Sequence, residues 1–441
     1  MNSNLTLPPH RHHTHSMQTN SRYDTMVPYL FAASLIALGL THQLLFRFTG
    51  TVTGLRGISL WLGTVVVLLP ALSVYLMYRA REFKLHRMWV VAAVLVGGTL
   101  LNLAASRLSS VGYSFLFTIY FLVMMNSLQF VRRDTVLSIT KVMMALYLGN
   151  VLIGQLLYLT GVESDFLRDI FRYQIDPRDD SVRFIAFAEE PSYAAFIVCL
   201  TYFAYVRLCR AGKEPVNIVW GLIVLYQVLC FRSVYGYLLV MILFVVTYYR
   251  SVRRSLVILI PTVMLVLIVA TNTGLLSDAG RLGRITDAML RGRLFNPQEL
   301  KAVDHSLFFR VGIFIEYWST ANPADPHFYV GHGAMTHKYA LSSRYLGAIK
   351  QDVGSGNLVL LESNFFNGFL YDFGLVGMLL VAFVLWRLTT RRFFRAETLL
   401  LAMVFFNANY NTQFLWYIVI ILAASHYYSE PIGSAENAAR A

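Results

Sequence analysis

A pair of carboxylates stands directly before a proline and an apolar run in the middle of the chain. Glu189 and Glu190 precede Pro191 and Ser192, and Arg183 lies a short distance upstream. Acids followed by proline form a typical helix start, so Glu190 and Ser192 could serve only as capping residues. The same residues also supply a proton acceptor and a fixed cation at the mouth of a helix. We therefore predict that Glu190 and Arg183 are catalytic.

Two further arginines have surroundings that suit a phosphate ligand. Arg310 is flanked by aromatic and aliphatic residues, where a phosphate would match its planar guanidinium, although Glu316 is an alternative partner in a structural ion pair. Arg232 and Ser233 lie in a turn between two apolar runs, where an arginine either faces a polar cavity or snorkels to the interface. We predict that Arg310 is catalytic and that Arg232 and Ser233 bind substrate.

Other candidate binding residues lie between apolar runs or at the start of one. Arg284 belongs to a segment whose apolar stripe is typical of a helix on the membrane surface. His305 follows a predicted N-cap, Asp304, and precedes Arg310. Asn364, Asn367, Tyr371 and Asp372 repeat at helical spacing where another span begins, and they could line a cavity. From these we predict substrate contacts by Arg284, His305, Asn364 and Tyr371.

The composition identifies the environment in which these residues must work. Of 441 residues, 56% are hydrophobic and 14% are charged, against roughly 25% charged in soluble domains. Apolar runs long enough to cross about 30 Å of hydrocarbon predict an all-α polytopic membrane protein of about twelve transmembrane helices. The predicted spans are 27–46, 55–78, 88–105, 113–131, 135–160, 192–207, 215–231, 237–249, 255–271, 363–386, 396–408 and 412–428.

Basic loops follow every second predicted span, which places both termini in the cytoplasm. The net charge of +13 is largely explained by these loops and does not indicate nucleic-acid binding. We predict one transmembrane domain over 27–428, with a disordered cytoplasmic tail at 1–26 and a second cytoplasmic tail at 429–441. Two enlarged loops, about 161–191 and 272–362, fall on the outer face and should carry short amphipathic helices and the functional site.

Taken in order along the chain, these motifs resemble those of the bacterial O-antigen and exopolysaccharide polymerases, a family that shares a superfamily with the O-antigen ligases. The resemblance covers most of the chain. It rests on the span layout with two enlarged outer loops and on five groups of residues: Arg183 with Glu190-Pro191-Ser192, Phe231-Arg232-Ser233, Asp304-His305-Ser306 with Arg310, Gly331-His332-Gly333, and Asn364-Phe365-Phe366 through Gly377.

The resemblance implies metal-independent glycosyl transfer at the periplasmic face of the bacterial inner membrane, without a cofactor. The implied donor and acceptor are oligosaccharides on polyprenyl diphosphate within membrane lipid, and a chain-length regulator is an expected partner. Arg183, Arg232 and Arg310 would neutralise the departing diphosphate. Glu190 would deprotonate the acceptor hydroxyl, with Glu189, His305 and His332 as alternatives.

Three other functions stay open at this point. Ligases usually begin the closing helix with a histidine beside an asparagine, and Glu362-Ser363-Asn364 stands there instead, which favours a polymerase. A transporter of lipid-linked sugars would be expected to show internal repeats and midplane charges, which the sequence does not. A scaffold for an export complex would not require the loop arginines.

Overall fold

The computed structural model describes just over half of the chain, and the described part is mostly helical. The predicted spans 55–78 and 255–271 lie outside it. The described residues are 21–40, 88–102, 108–161, 167, 171, 173–175, 182–188, 190–233, 235–245, 247, 287–288, 290–292, 296, 314–315, 318, 321–334, 336, 364–390, 396–408, 410 and 412–429.

Eleven helices and one strand pair are defined within this part of the chain. The helices are α1 Ser21–Gly39, α2 Met88–Leu101, α3 Leu108–Ser127, α4 Arg133–Thr160, α5 Pro191–Ala211, α6 Ile218–Phe231, α7 Tyr235–Val245, α8 Pro326–Val330, α9 Phe365–Thr389, α10 Ala396–Asn407 and α11 Gln413–Ser429. The strands are β1 Tyr173–Ile175 and β2 Val182–Phe184. Apart from α8, each helix coincides with a predicted span, and most helix ends lie within a few residues of the predicted ones. Helix α1 differs more, since it begins and ends earlier than predicted.

Three of the described helices, α4, α5 and α9, are long and apolar enough to cross a membrane. Their ends follow from local sequence. Glycine at position 161 adopts the left-handed conformation that ends α4, and its N–H donates to the carbonyls of Leu157 and Tyr158. Pro191 starts α5 at a position where a missing N–H costs nothing, and the side chain of Asn364 caps α9.

Helix α5 lies at the centre of the bundle. All of its residues from Ser192 to Cys209 are buried, as expected for a helix surrounded by other helices. It packs on α4, α6 and α11, and the hydroxyls of Thr201 and Tyr417 lie 2.7 Å apart at the contact with α11. Because α11 is buried from Phe414 to His426, these two helices form the core of the described bundle.

The basic turns lie at one end of the bundle, which we call the Arg210 end. Arg133 at the start of α4 pairs with Glu214 in the turn after α5, and Arg210 donates to the carbonyl of Thr247 beyond α7. The hydroxyl of Tyr428 near the end of α11 lies 2.6 Å from the carbonyl of Val131.

The opposite end, which we call the Glu190 end, contains the start of α5, α9 and α11. The end of α2 also lies here, since Asn102 donates to the carbonyl of Gly331 at 3.3 Å. Helices α4, α6 and α10 therefore end here. The described parts of the two enlarged loops also contact the bundle at this end.

A two-stranded antiparallel hairpin, absent from the sequence-based prediction, occupies the first enlarged loop. Strand β1 pairs with β2 so that Gln174 lies opposite Arg183. Tyr173 packs edge-on against Tyr158 with ring centroids 5.5 Å apart, and Phe184 lies against Gly154 of α4. These contacts fix Arg183 above the end of α4.

Replacing Tyr147 by Phe should lower stability by about 1–3 kcal/mol. The Tyr147 side chain is fully buried, and its hydroxyl donates to the carbonyl of Gly39 at 2.9 Å, so the substitution leaves a buried acceptor without its donor. Thermal unfolding in detergent would measure the loss. Tyr29→Phe is the matched control, because the side chain of Tyr29 is 74% exposed, and an equal melting temperature for both variants would contradict the prediction.

Candidate functional site

Glu190 and Arg183 both lie at the Glu190 end of the bundle. Glu190 is the N-cap residue of α5, but its side chain makes no capping hydrogen bond and instead accepts from the Ser192 hydroxyl at 2.9 Å. Both Glu190 and Arg183 are half-buried. The carboxylate of Glu190 is therefore oriented by the Ser192 hydroxyl at the start of its own helix.

Arg232 and Ser233 form the tight turn between α6 and α7. Arg232 ends α6 in the left-handed conformation with φ of 49°, an uncommon conformation for a residue with a side chain, and the side chain is exposed. Ser233 is buried, and its hydroxyl accepts from the N–H of Gly236 at 3.3 Å. Ser233 therefore caps α7 in this structure, while the side chain of Arg232 is exposed at this end of the bundle.

Close packing joins these two positions to the start of α11. A side chain at Gly236 would overlap Ala195, so the α6–α7 turn lies directly against α5 one turn after Glu190. The rings of Tyr193 and Phe414 stack with centroids 4.6 Å apart. Arg183, Glu190 and Arg232 thus come from three separate elements to the same end of the bundle.

The second feature of this end is a break in helix α9. Gly374 has φ of 68° and ψ of 176°, which interrupts the helical hydrogen bonds well inside an apolar helix. The segment 326–336, which we call the inserted segment, lies against the break. The N–H of His332 donates to the carbonyl of Tyr371 at 2.9 Å, and the N–H of Gly333 donates to the carbonyl of Asp372 at 3.1 Å.

Both glycines at the contact are needed for the close approach of the two backbones. A Cβ on Gly331, whose φ is 82°, would overlap the carbonyl of Asp372, and a Cβ on Gly374 would overlap the backbone of Tyr329. Only glycine combines this backbone conformation with this lack of space. The Gly331-His332-Gly333 motif is therefore held tightly by α9.

A buried carboxylate links the inserted segment to α9 and the start of α11. Asp372 is fully buried and accepts from the Tyr410 hydroxyl at 2.6 Å. The Thr336 hydroxyl lies 3.1 Å from the other carboxylate oxygen, and the indole of Trp416 donates to the carbonyl of Tyr410 at 2.9 Å. Asp372 was not among the predicted site residues, although an ionisable side chain inside an apolar run is a recognisable signal.

Three rings form a stack on the face of the inserted segment. His332 stacks on Tyr371 with centroids 4.3 Å apart and on His327 with centroids 4.8 Å apart. Tyr371, a predicted binding residue, therefore supports the two histidines. His327 was missed, because nothing in the sequence indicates that its ring would stack on His332.

The amides at the start of α9 differ in their surroundings. Asn364, a predicted binding residue, is buried and its side-chain oxygen accepts from the N–H of Asn367 at 2.8 Å, which is a capping role. The side chain of Asn367 is also buried, and neither of its amide atoms has a hydrogen-bond partner among the described residues.

Four residues proposed from the sequence lie outside the described part of the chain: Glu189, Arg284, His305 and Arg310. Their predicted roles stay predictions. Within the described part, no group of three or more His, Cys, Asp or Glu side chains is arranged to hold a metal ion. At the Glu190 end the structure places two arginines, the carboxylates of Glu190 and Asp372, and a stack of aromatic rings.

Comparison with known proteins finds no family model, no curated protein and no solved structure that matches this chain. We therefore interpret the site from its residues and their geometry.

Replacing Gly374 by Ala should destabilise the protein by at least about 2 kcal/mol, because an alanine would be strained at this φ and would overlap Tyr329. Gly97→Ala in α2 is the matched control, since no atom lies within 4 Å of the added methyl and alanine favours the helix. Melting temperatures in detergent would compare them. Equal values for the two variants would mean that the inserted segment is not held at the break.

Proposed function

We propose that this protein polymerises oligosaccharide repeat units carried on polyprenyl diphosphate. The observation that supports this proposal most directly is the grouping of Arg183, Glu190 and Arg232 at one end of a bundle of apolar helices. A lipid-linked diphosphate needs an apolar environment for its chain and cations for its phosphates. Transfer of its sugar to a hydroxyl needs a proton acceptor.

In this glycosyl transfer the carboxylate and the arginines each have a distinct role. The acceptor hydroxyl oxygen forms a bond to the anomeric carbon of the donor sugar as the bond from that carbon to the diphosphate oxygen breaks. Glu190 accepts the hydroxyl proton, and polyprenyl diphosphate leaves with the bonding electrons. Negative charge grows on the diphosphate during this step, so Arg183 and Arg232, with Arg310, would stabilise the transition state more than the ground state.

We further propose that the Glu190 end faces the periplasm and the Arg210 end the cytoplasm, in a bacterial inner membrane with about twelve spans. Cations near the described helix ends are concentrated at the Arg210 end, which is the distribution typical of cytoplasmic turns. They are Arg132, Arg133, Arg207, Arg210, Lys213 and Arg387 at that end, against Arg183 and Arg232 at the Glu190 end.

Deleting the gene should abolish polymer and leave single lipid-linked repeats. Expression of Glu190→Gln, Arg183→Ala or Arg232→Ala should each fail to restore the polymer ladder, with Glu190→Gln reducing the rate at least about 100-fold because general base catalysis is lost. Gel analysis of the polymer from complemented cells would measure this. Arg310→Ala tests the fourth residue in the same way.

The matched control is Arg210→Ala, which removes an exposed cation at the opposite end and should restore the ladder in full. Normal ladders from all the site variants at unchanged protein level would contradict the proposal. Accumulation of lipid-linked polymer in the deletion strain would indicate instead a ligase, which acts after polymerisation.

The proposed orientation can be tested with single cysteines. Ala324→Cys, just before the inserted segment, and Ala211→Cys, at the last residue of α5, replace exposed residues at opposite ends of the bundle. A membrane-impermeant maleimide should label the first in intact spheroplasts and the second only after permeabilisation. The native cysteines, of which Cys199 and Cys209 are buried and Cys230 is half-buried, should give little background. The reverse labelling pattern would overturn the orientation.

A second candidate function is transport of a lipid-linked sugar, which the break in α9 favours. Transporters often use interrupted helices whose free carbonyls bind substrate or ions. Here the carbonyls of Tyr371 and Asp372 already accept from the inserted segment, which fits a structural junction better. Translocation of a fluorescent lipid-linked sugar by reconstituted protein, without product formation, would support transport.

A further inference from the structure

The backbone around His327 and His332 is fixed on both sides. The Asp325 side chain caps the short helix α8 by accepting from the N–H of His327 at 2.9 Å. His332 is held by its own N–H bond to α9, and the carbonyl of Gly331 accepts from Asn102. Two imidazoles are therefore held in place before any ligand arrives, which lowers the entropic cost of binding one.

The hydrogen bonds of the two rings determine where their protons lie. The Nδ1 atom of His327 lies 2.9 Å from the carbonyl oxygen of Gly331, and that of His332 lies 3.2 Å from the carbonyl oxygen of Tyr371. A carbonyl oxygen can only accept, so each Nδ1 carries a hydrogen. In the neutral ring the lone pair is then on Nε2.

Both Nε2 atoms are available to a ligand. His327 is exposed and His332 is half-buried, and neither Nε2 has a hydrogen-bond partner among the described residues. Since the rings are stacked nearly parallel, with 20° between their planes, the two Nε2 acceptors belong to neighbouring rings of one aromatic stack.

Two Nε2 acceptors in a stack of aromatic rings favour a ligand that can donate hydrogen bonds and also pack on a ring. The hydroxyls of a sugar can donate to both nitrogens, and its C–H faces pack on rings. The diphosphate that links the sugar to its lipid has only acceptor oxygens when it is fully ionised, so it would face two lone pairs. A metal ion would need further ligands, and the described residues hold no group of three suitable side chains.

We propose that His327 and His332 form a hydroxyl-binding site for a sugar of the lipid-linked repeat unit. This inference rests on the proposed function for the identity of the ligand. It separates recognition of the sugar, by the inserted segment, from recognition of the diphosphate, by the arginines. The site is a binding site, and the proton acceptor in the transfer step is still Glu190.

Direct binding to the full-length protein in lipid nanodiscs tests the proposal without requiring turnover. The probe is the lipid-linked repeat extracted from the deletion strain, and the comparison ligand is polyprenyl diphosphate without sugar. His332→Asn retains a donor near the position of Nδ1 and removes Nε2, whereas His332→Gln places an amide oxygen near the position of Nε2. His327→Asn and His327→Gln form the equivalent pair.

The Asn variants should weaken binding of the sugar-bearing lipid roughly threefold to tenfold, the effect of losing one hydrogen bond between neutral groups. Binding of bare polyprenyl diphosphate should not change, and the Gln variants should recover part of the loss. Tyr329→Phe, which changes an exposed hydroxyl in the same segment, should bind both lipids normally.

Binding of bare polyprenyl diphosphate that is stronger than binding of the sugar-bearing lipid, and that is lost in the Asn variants, would instead indicate an anion site and would overturn the proposal.

If the Asn variants weakened binding of both lipids equally, or left binding of both unchanged, the proposal would also be overturned. Failure of the wild type to bind the sugar-bearing lipid would do the same. If the wild type binds that lipid in a histidine-dependent way but forms no polymer, the hydroxyl-binding site stands and the polymerase proposal fails.

Discussion

The described structure depends on one constraint: backbone groups inside an apolar helix bundle must find hydrogen-bond partners within the protein. Helix α9 breaks at Gly374, and the carbonyls of Tyr371 and Asp372 before the break accept from the N–H groups of His332 and Gly333. The inserted segment is thus the element that makes the break tolerable. Its position follows from this requirement, and the rings that it carries are placed by the same bonds.

The same constraint explains why the candidate site is concentrated at one end of the bundle. Asp372 can be buried because Tyr410 donates to it, and Tyr410 is in turn held by Trp416 at the start of α11. Helix α11 packs on α5, whose N-terminus carries Glu190. A continuous set of packed and hydrogen-bonded groups therefore connects the inserted segment to the carboxylate, through elements that are buried rather than exposed to solvent.

Hydropathy was sufficient to predict the described helices other than α8, because a run of apolar residues inside a membrane has few other ways to satisfy its backbone. Arg183 and Glu190 could be proposed from the sequence because they are close together and precede a clear helix start; the structure places both at the Glu190 end, and their catalytic roles stay predictions. The strand pair escaped prediction because strands of three residues leave no periodic pattern. The contact of Gly331 with α9 was not predicted, because a glycine in a sequence indicates only a flexible backbone. The close packing of Gly331 becomes visible once the backbone of α9 is seen next to it.

Whether this protein itself joins repeat units, as we propose, is measured most directly with purified protein reconstituted in lipid and supplied with a polyprenyl-diphosphate-linked repeat unit. We expect a ladder of longer lipid-linked products and the release of one polyprenyl diphosphate for each bond formed, without added metal or cofactor. Neither a ladder nor released polyprenyl diphosphate, from folded protein supplied with its own repeat unit, would contradict the proposal.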